Sequence, residues 1–208
     1  MHPNPTFRAE THARNLGYAR DRGFGALSIN ADPAPLIAHV PFVLDKDGRT
    51  ADLHLVRSNP ISRAVTGPMP AVIAVTGPDG YISPDWYDVA DQVPTWNYVA
   101  VHLRGTLMPL EAEALRGALD RLSAHFEAQL LPKTPWSADK MDPDALDRML
   151  RMIRPFRFDV TDIDGTWKLG QNKEDGVRLA AAGHLTSAPV GQETALLAAL
   201  MRGVGPKH

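Results

Sequence analysis

The chain has 208 residues, of which 44% are hydrophobic and 22% are charged, as in a globular protein with one sizeable core. The formal net charge of −2 excludes a global attraction to nucleic acid or to anionic membranes. Because the chain lacks cysteine, disulfides, thiolate nucleophiles, iron–sulfur clusters and cysteine-ligated zinc are excluded. With no secretory signal and no apolar run long enough to span a membrane, we expect a soluble, cytoplasmic protein with a single domain over residues 1–208.

Short strand-like patterns dominate the first half of the chain. Residues 24–29 form the first, and residues 36–44 form the second, in which alternate apolar side chains share one face. Pro41 inside the second pattern favours an edge strand or a bulge. Residues 45–48 end in Asp-Gly, which is typical of a hairpin turn, and lead to a third strand over residues 52–57.

Two further strands are predicted around the middle of the chain. Residues 71–75 are continuously apolar, which predicts a strand buried on both faces. Residues 96–108 form a longer strand, whose side chains alternate between two faces. One face carries Val99, Val101 and Leu103, and the other carries Trp96, Tyr98, Ala100 and His102.

Helical patterns follow in the second half. Residues 111–130 have apolar side chains at steps of three and four residues. A second helix has Asp142 as its N-cap and Pro143 in its first turn, and it should end before Pro155. A last strand is predicted over residues 157–163, and two helices over residues 173–182 and 189–202.

The order of these elements predicts a mainly β, α+β protein. Strands occupy residues 24–110 and 157–169, a helical insertion occupies residues 111–154, and C-terminal helices lie within residues 173–202. Because regular alternation of strands and helices is missing, a small antiparallel barrel decorated by helices is favoured over a Rossmann sheet. No histidine motif indicates a metal site.

Residues 81–105 concentrate aromatic and hydrogen-bonding side chains beside a predicted strand. They include two of the four tryptophans, three of the four tyrosines and one histidine. Aromatic planes next to hydrogen-bonding groups suit a flat ligand with polar edges, such as a flavin. A second cluster, residues 167–172, adds a lysine and two amides. The sequence therefore predicts a flavin-type ligand.

The chain resembles the PaiB-type FMN-binding proteins, a family named as negative transcriptional regulators. The resemblance covers roughly residues 1–185 and rests on Arg57-Ser58-Asn59-Pro60, Tyr81-Ile82-Ser83-Pro84 with Trp86-Tyr87, Val93 to Tyr98 with Val101-His102 and Gly105, and Trp167-Lys168-Leu169 with Gln171-Asn172. It implies an antiparallel split β-barrel similar to the pyridoxamine-phosphate-oxidase group. It also implies a homodimer with FMN held at the subunit interface. The chain departs from the family at several positions, among them Gly170, where serine is frequent.

Several residues are candidates for binding FMN. Arg57 would grip the phosphate bidentately beside a short helix capped by Ser58 or Asn59, although an ordinary cap with a solvated arginine explains the same pattern. Ser83 and Thr95 offer hydroxyls to the ribityl or phosphate oxygens, and a turn hydrogen bond is the alternative for Ser83. The other cofactor-binding candidates are Tyr81, Trp86, Trp96, Asn97, His102, Gln171 and Asn172.

Lys168 is the candidate with the clearest chemical consequence. A cation near the N1/O2 edge of a flavin stabilises the anionic reduced form and raises the reduction potential. A surface lysine without a function is the alternative. His102 is more simply explained as a structural residue than as a proton donor, so no catalytic residue is predicted.

Three functions remain open from the sequence. The family resemblance implies an FMN-binding negative regulator of gene expression. A small FMN-dependent oxidoreductase that takes electrons from NAD(P)H is the second, and a flavin-binding protein without turnover is the third. DNA binding is possible but lacks a basic helix or arm, because the two C-terminal helices carry one arginine each and are better interpreted as a packed pair.

Overall fold

The computed structural model describes residues 1–204, which contain seven β-strands and six α-helices. The strands are β1 (Phe24–Ile29), β2 (Leu36–Leu44), β3 (Thr50–Val56), β4 (Met69–Ile82), β5 (Thr95–Pro109), β6 (Ile153–Lys168) and β7 (Gly191–Gln192). The helices are α1 (His12–Arg22), α2 (Pro60–Ala64), α3 (Ala114–Ala128), α4 (Pro143–Leu150), α5 (Asp175–Leu185) and α6 (Thr194–Arg202).

The strands form one sheet in the order β1-β2-β3-β6-β5-β4-β7, and β1 also pairs with β4. This second pairing closes the first six strands into a barrel. The β1–β2, β1–β4, β2–β3, β3–β6 and β4–β7 pairs are all antiparallel. Helices α3 and α4 lie in the chain between β5 and β6, and α5 and α6 follow β6. The fold is therefore the antiparallel split barrel with a helical insertion and C-terminal helices that the sequence predicted.

The chain comprises two compact units. The first unit consists of Met1–Asn15, Thr76–Val101 and Asp164–His208, and the second of Leu16–Val75 and His102–Ile163. Strands β4, β5 and β6, which are 14 to 16 residues long, each contribute residues to both units. The single domain expected from the sequence stays a prediction.

The core of the second unit follows the alternation of its strands. β2 buries every second side chain from Ala38 to Leu44, and β3 does the same from Ala51 to Leu55. The largest fully buried side chains here include those of Phe42, Phe156 and Phe158. Each such side chain contributes about 1.5–3 kcal/mol by leaving water, so these apolar faces decide which side of each strand turns inward.

Two predictions about the strands are wrong. Of the two alternatives for Pro41, an edge strand or a bulge, the edge strand is wrong, because β2 pairs with both β1 and β3. Pro41 lies opposite Phe24 at the end of the β1 pairing, and the β3 pairing begins at Phe42, so the missing N–H falls where the strand changes partner. Residues 71–75 are buried on one face only, since Val72 and Ala74 are half-exposed.

Local signals set the ends of several elements. Gly48 has a φ of +72°, and the carboxylate of Asp45 accepts from the backbone N–H of Arg49 at 2.8 Å, which confirms the predicted hairpin turn. α4 begins after Asp142, whose side chain accepts from the N–H of Ala145 at 2.9 Å. No helix within residues 1–204 is long and apolar enough to cross a bilayer.

Candidate functional site

Lys168 is the centre of a positively charged cluster in the first unit. It is half-buried at the end of β6, and its ammonium group donates to Thr95 Oγ1 at 2.5 Å. The same ammonium lies 5.9 Å from the centroid of the Phe7 ring. Among residues 1–204 it makes no ion pair with a carboxylate. Burial lowers the pKa of Lys168 from its ordinary value, and the positive charge of Lys173 lowers it further.

Lys173 is the second cation of this cluster, and the sequence interpretation missed it. Its ammonium donates to Gln92 Oε1 and lies 4.7 Å from the centroid of the Tyr87 ring. The backbone N–H of Lys173 donates to the carbonyl of Gly170 at 2.9 Å, which closes a turn. The only signal in the sequence was the position of Lys173 directly after the two amides of the 167–172 cluster.

Gly170 explains how this turn forms. Its φ of +79° is in the left-handed region, where glycine has no steric penalty and serine does. The departure from the family's frequent serine therefore suits the local backbone. Lys168 and Lys173 consequently flank one tight turn.

The two amides between these lysines have different environments. Gln171 is used by its own loop, because its Oε1 accepts from the N–H of Leu169 at 2.8 Å and its Nε2 donates to the carbonyls of Trp167 at 2.6 Å and Thr6 at 3.2 Å. Asn172 is exposed and makes no side-chain hydrogen bond to another residue of the described chain. Of the two, only Asn172 has all its side-chain hydrogen-bonding capacity free for a ligand.

The N-terminal segment, residues 1–15, fixes the other side of the loop that carries Lys168. The indole Nε1–H of Trp167 donates to Asn15 Oδ1 at 2.8 Å, and both side chains are buried. The guanidinium of Arg14 lies 4.3 Å from the Trp167 ring centroid. Arg8 forms an ion pair with Asp164 at 3.1 Å. The base of the lysine turn is therefore held by contacts distant in sequence.

β5 presents the two faces that the sequence predicted. Trp96 is 44% exposed, and Tyr98 and Ala100 are half-exposed, whereas Asn97 and Val99 are buried. Asn97 Nδ2 donates to the sulfur of Met201 at 3.5 Å, which supplies the partner that a buried amide needs. His102 lies further along β5, in the second unit, and is half-buried.

The exposed face of β5 borders a cavity of about 610 Å³ in the first unit. This volume is within the range of small-molecule pockets, about 300–1,000 Å³. Trp96 and Tyr98 form the aromatic part of the cavity lining, and the small residues Gly77, Ala100 and Gly191 also line it. The cavity has the aromatic and open character that a flat ligand requires.

Tyr81, Ser83 and Trp86 precede this region, and their contacts are within the first unit. The backbone N–H of Tyr81 donates to the carbonyl of Val190 at 3.2 Å. Ser83 caps a 3₁₀ turn by accepting from the N–H of Asp85 at 3.4 Å, the turn hydrogen bond that was its alternative role. The Trp86 ring stacks on that of His184, with centroids 5.7 Å apart and planes at 16°.

The Arg57 segment lies in the second unit, after β3. Asn59 caps α2 by accepting from the N–H of Ile61 at 2.9 Å, so Asn59 rather than Ser58 is the cap. Ser58 is exposed. Arg57 is also exposed and donates from Nε to the carbonyl of Arg151 at 2.8 Å.

Arg57 borders a small cavity of about 260 Å³ in the second unit. Arg154, Thr66 and Glu111 also line it. Arg154 donates from Nη1 to two carbonyls, of Ser62 and Val65, at 3.0 Å each. Two guanidinium groups around one cavity can attract an anion, although Glu111 opposes this.

The first unit has features that fit the ring system of FMN. These features are the half-buried ammonium of Lys168, which has no carboxylate partner within residues 1–204, and a separate aromatic-walled cavity at Trp96. Lys168 and Thr95 are in direct contact. Arg57, Ser58, Asn59 and His102 belong to the second unit. The assignment of each of these residues to FMN stays a prediction.

The chain is similar to a curated bacterial protein along most of its length. It is 29% identical over 174 residues to the protease synthase and sporulation protein PAI 2 of Bacillus subtilis, which covers 82% of this chain and 83% of that protein.

Two solved structures share the fold. The FAD and heme binding protein of Mycobacterium smegmatis has a TM-score of 0.55 at 17% identity, over 78% of this chain and 73% of its own. The flavocytochrome Anf3 of Azotobacter vinelandii has a TM-score of 0.51 at 9% identity, over 76% of this chain and 68% of its own.

The family of this chain follows from a match over most of its length. Residues 1–162 match the family described as "Putative FMN-binding domain". The matched range includes every candidate residue up to His102 and ends before Lys168. The predicted cofactor is confirmed at this level. The chain belongs to this family of FMN-binding proteins, and its cofactor is FMN.

Proposed function

We propose that this chain is an FMN-binding regulator of gene expression in which the flavin is the sensing group. The similarity to a protein named for protease synthase and sporulation supports a regulatory use. In the proposal the flavin is redox-active, and its oxidation state biases the regulatory activity of the protein. The proposed location is the cytoplasm.

The observation that carries the proposal is the environment of Lys168. A half-buried ammonium without a carboxylate partner is costly, because burial removes water and nothing within residues 1–204 replaces it with a negative charge. A ligand edge that gains electron density on reduction would supply that charge. Bound FMN supplies two-electron chemistry, and Lys168 would hold a positive charge beside it while Thr95 orients the ammonium.

A homodimer with FMN at the subunit interface is part of the proposal. Trp96, exposed on β5, is the side chain that a second subunit and a flavin would cover. Light scattering of the purified protein tests this directly. A monomeric mass in the presence of saturating FMN would contradict it.

The C-terminal helices do not support DNA binding through their arginines. Arg202 donates from Nη2 to the carbonyl of Ala182 at 3.1 Å and to Thr186 Oγ1 at 2.7 Å. Arg178 is buried and donates to the carbonyl of Met201. Both guanidinium groups therefore connect α5 with α6. In the proposal, the regulator acts on gene expression through another surface or through a partner protein.

A flavin-dependent oxidoreductase is the second candidate. In this second candidate the flavin would lie in the cavity beside Trp96 rather than beside Lys168, and that cavity is open to solvent, which leaves room for a nicotinamide to approach. Rapid bleaching of the flavin absorbance by NAD(P)H, followed by reoxidation by an acceptor, would favour this function. A shift of promoter DNA that weakens with salt would favour the regulator.

The test begins with the absorption spectrum of the purified protein and a titration with FMN. Replacing Lys168 with methionine should lower the flavin midpoint potential, by about 30 mV for each tenfold loss of preference for the reduced form. Lys46→Met, at an exposed turn, is the matched control and should leave the potential unchanged. Normal FMN affinity with an unchanged potential in Lys168→Met would remove Lys168 from the ring edge.

A further inference from the structure

Lys168 and Lys173 belong to one short loop, and neither ammonium group has a counter-ion within residues 1–204. Each one bonds to a neutral oxygen, Thr95 Oγ1 or Gln92 Oε1. Each also faces an aromatic ring, that of Phe7 or Tyr87. Neither makes an ion pair with a carboxylate in the described part of the chain. Nothing in this arrangement cancels the two positive charges.

The backbone places the two lysines at either end of one short loop. The left-handed Gly170 and the hydrogen bond from Lys173 N–H to its carbonyl close the turn between them. Gln171 fixes the same turn from inside through its bonds to Leu169 and Trp167. Burial lowers the pKa of Lys168, and the positive charge of Lys173 lowers it further. A short loop that carries two lysines, neither with a carboxylate partner within residues 1–204, is suited to an anionic ligand.

We propose that Lys173 is a second cation of the flavin site, and that the lysine pair makes this site bind reduced FMN more tightly than oxidised FMN. This inference rests on the proposed position of FMN beside Lys168. Two electrons and one proton convert the neutral oxidised ring into a reduced ring with one negative charge. Only the reduced ring therefore interacts strongly with the pair.

The fraction of the protein that carries FMN would therefore depend on the oxidation state of the FMN. Because the protein binds oxidised and reduced FMN with different affinities, binding of FMN and reduction of FMN are coupled. At a fixed total FMN concentration, the loaded fraction of the protein rises as the flavin becomes reduced. Lys173 would thus give the regulator its response to reducing conditions.

The experiment compares the dissociation constants of oxidised FMN and of FMN reduced with dithionite under anaerobic conditions. For the unmodified protein we expect the reduced form to bind at least about tenfold more tightly, a ratio equal to a shift of about 30 mV for a two-electron couple. Lys173→Gln removes the charge while keeping a hydrogen-bonding side chain, and it should bring the ratio down about tenfold. Lys173→Arg should keep the ratio, and so should the control Lys46→Met.

The outcomes separate this inference from the proposed function. If FMN binds and Lys168→Met lowers the ratio, but both Lys173→Gln and Lys173→Met leave it unchanged, Lys173 is not part of the site and the proposed function stands. If FMN binds in neither oxidation state, both proposals are wrong. Circular dichroism of each variant shows whether it is folded, and Lys173→Met provides a second neutral side chain if Lys173→Gln is unstable.

Discussion

The hydrogen bond between Asn15 and Trp167 joins the N-terminal segment to the chain just before the turn between Lys168 and Lys173. Removing this bond tests how much it stabilises the protein. Asn15 is 5% exposed and Trp167 is 3% exposed, so neither group exchanges this bond for water. Gly165 leaves room for the amide, because a Cβ at this residue would lie 2.0 Å from Asn15 Oδ1. Replacing Asn15 with alanine would remove the acceptor of the indole N–H and leave nothing of similar size in its place.

The expected cost follows from burial. A buried donor that loses its acceptor costs about 1–3 kcal/mol of unfolding free energy. For a chain of this length, each kcal/mol lowers Tm by about 2–4 °C. We therefore expect Asn15→Ala to lower Tm by about 2–12 °C. The loss of unfolding free energy should exceed that caused by a surface substitution, which is usually within about 0.5 kcal/mol.

A double-mutant cycle isolates the pair. Trp167→Phe removes the donor, and the double variant removes both partners, so the double loss should be smaller than the sum of the single losses by about 1–2 kcal/mol. Urea unfolding followed by circular dichroism measures all four proteins. Strict additivity of the two single losses would refute the assigned hydrogen bond as a stabilising contact.

Three further predictions concern other parts of the molecule. Arg57→Ala should weaken FMN binding through the phosphate and affect riboflavin less, and equal losses for both ligands in calorimetry would contradict a phosphate contact. Asn59→Ala removes the cap of α2 and should cost about 1 kcal/mol in urea unfolding, whereas Asn59→Ser should retain most of the stability. Burial lowers the pKa of His54 below 6.5, so its contribution to stability is present above that pH and is lost as the pH falls. His54→Gln should therefore reduce the fall in Tm between pH 7 and pH 5, and an unchanged slope would count against this assignment.

The strands and caps could be predicted because their signals are local. The period-two pattern located β1 and β2 at their observed bounds, and Asp142 with Pro143 located the start of α4. β4 and β6 run well beyond their apolar centres, because pairing with neighbouring strands extends them through polar residues. Helix α1 was missed, since its sequence is largely polar and its apolar spacing is weak.

The candidate site was harder to predict, because most of its contacts join residues that are far apart in the sequence. The aromatic face of β5 could be predicted from alternation along one strand. The contact of Lys168 with Thr95 joins residues 73 positions apart, and that of Lys173 with Gln92 joins residues 81 positions apart. Neither pairing has a local pattern. Pro41 led to the wrong expectation of an edge strand, because a strand that changes partner at a proline tolerates the missing N–H as an edge strand does.

The first unit is built from three separate stretches of the chain, and this affects when it can fold during translation. Asn15 and Trp167 are 152 residues apart, and ribosomes add about 5–20 residues per second. The tryptophan is therefore synthesised about 8–30 seconds after the asparagine that it needs. During that interval Asn15 lacks its partner, so this unit closes only after Trp167 has been synthesised.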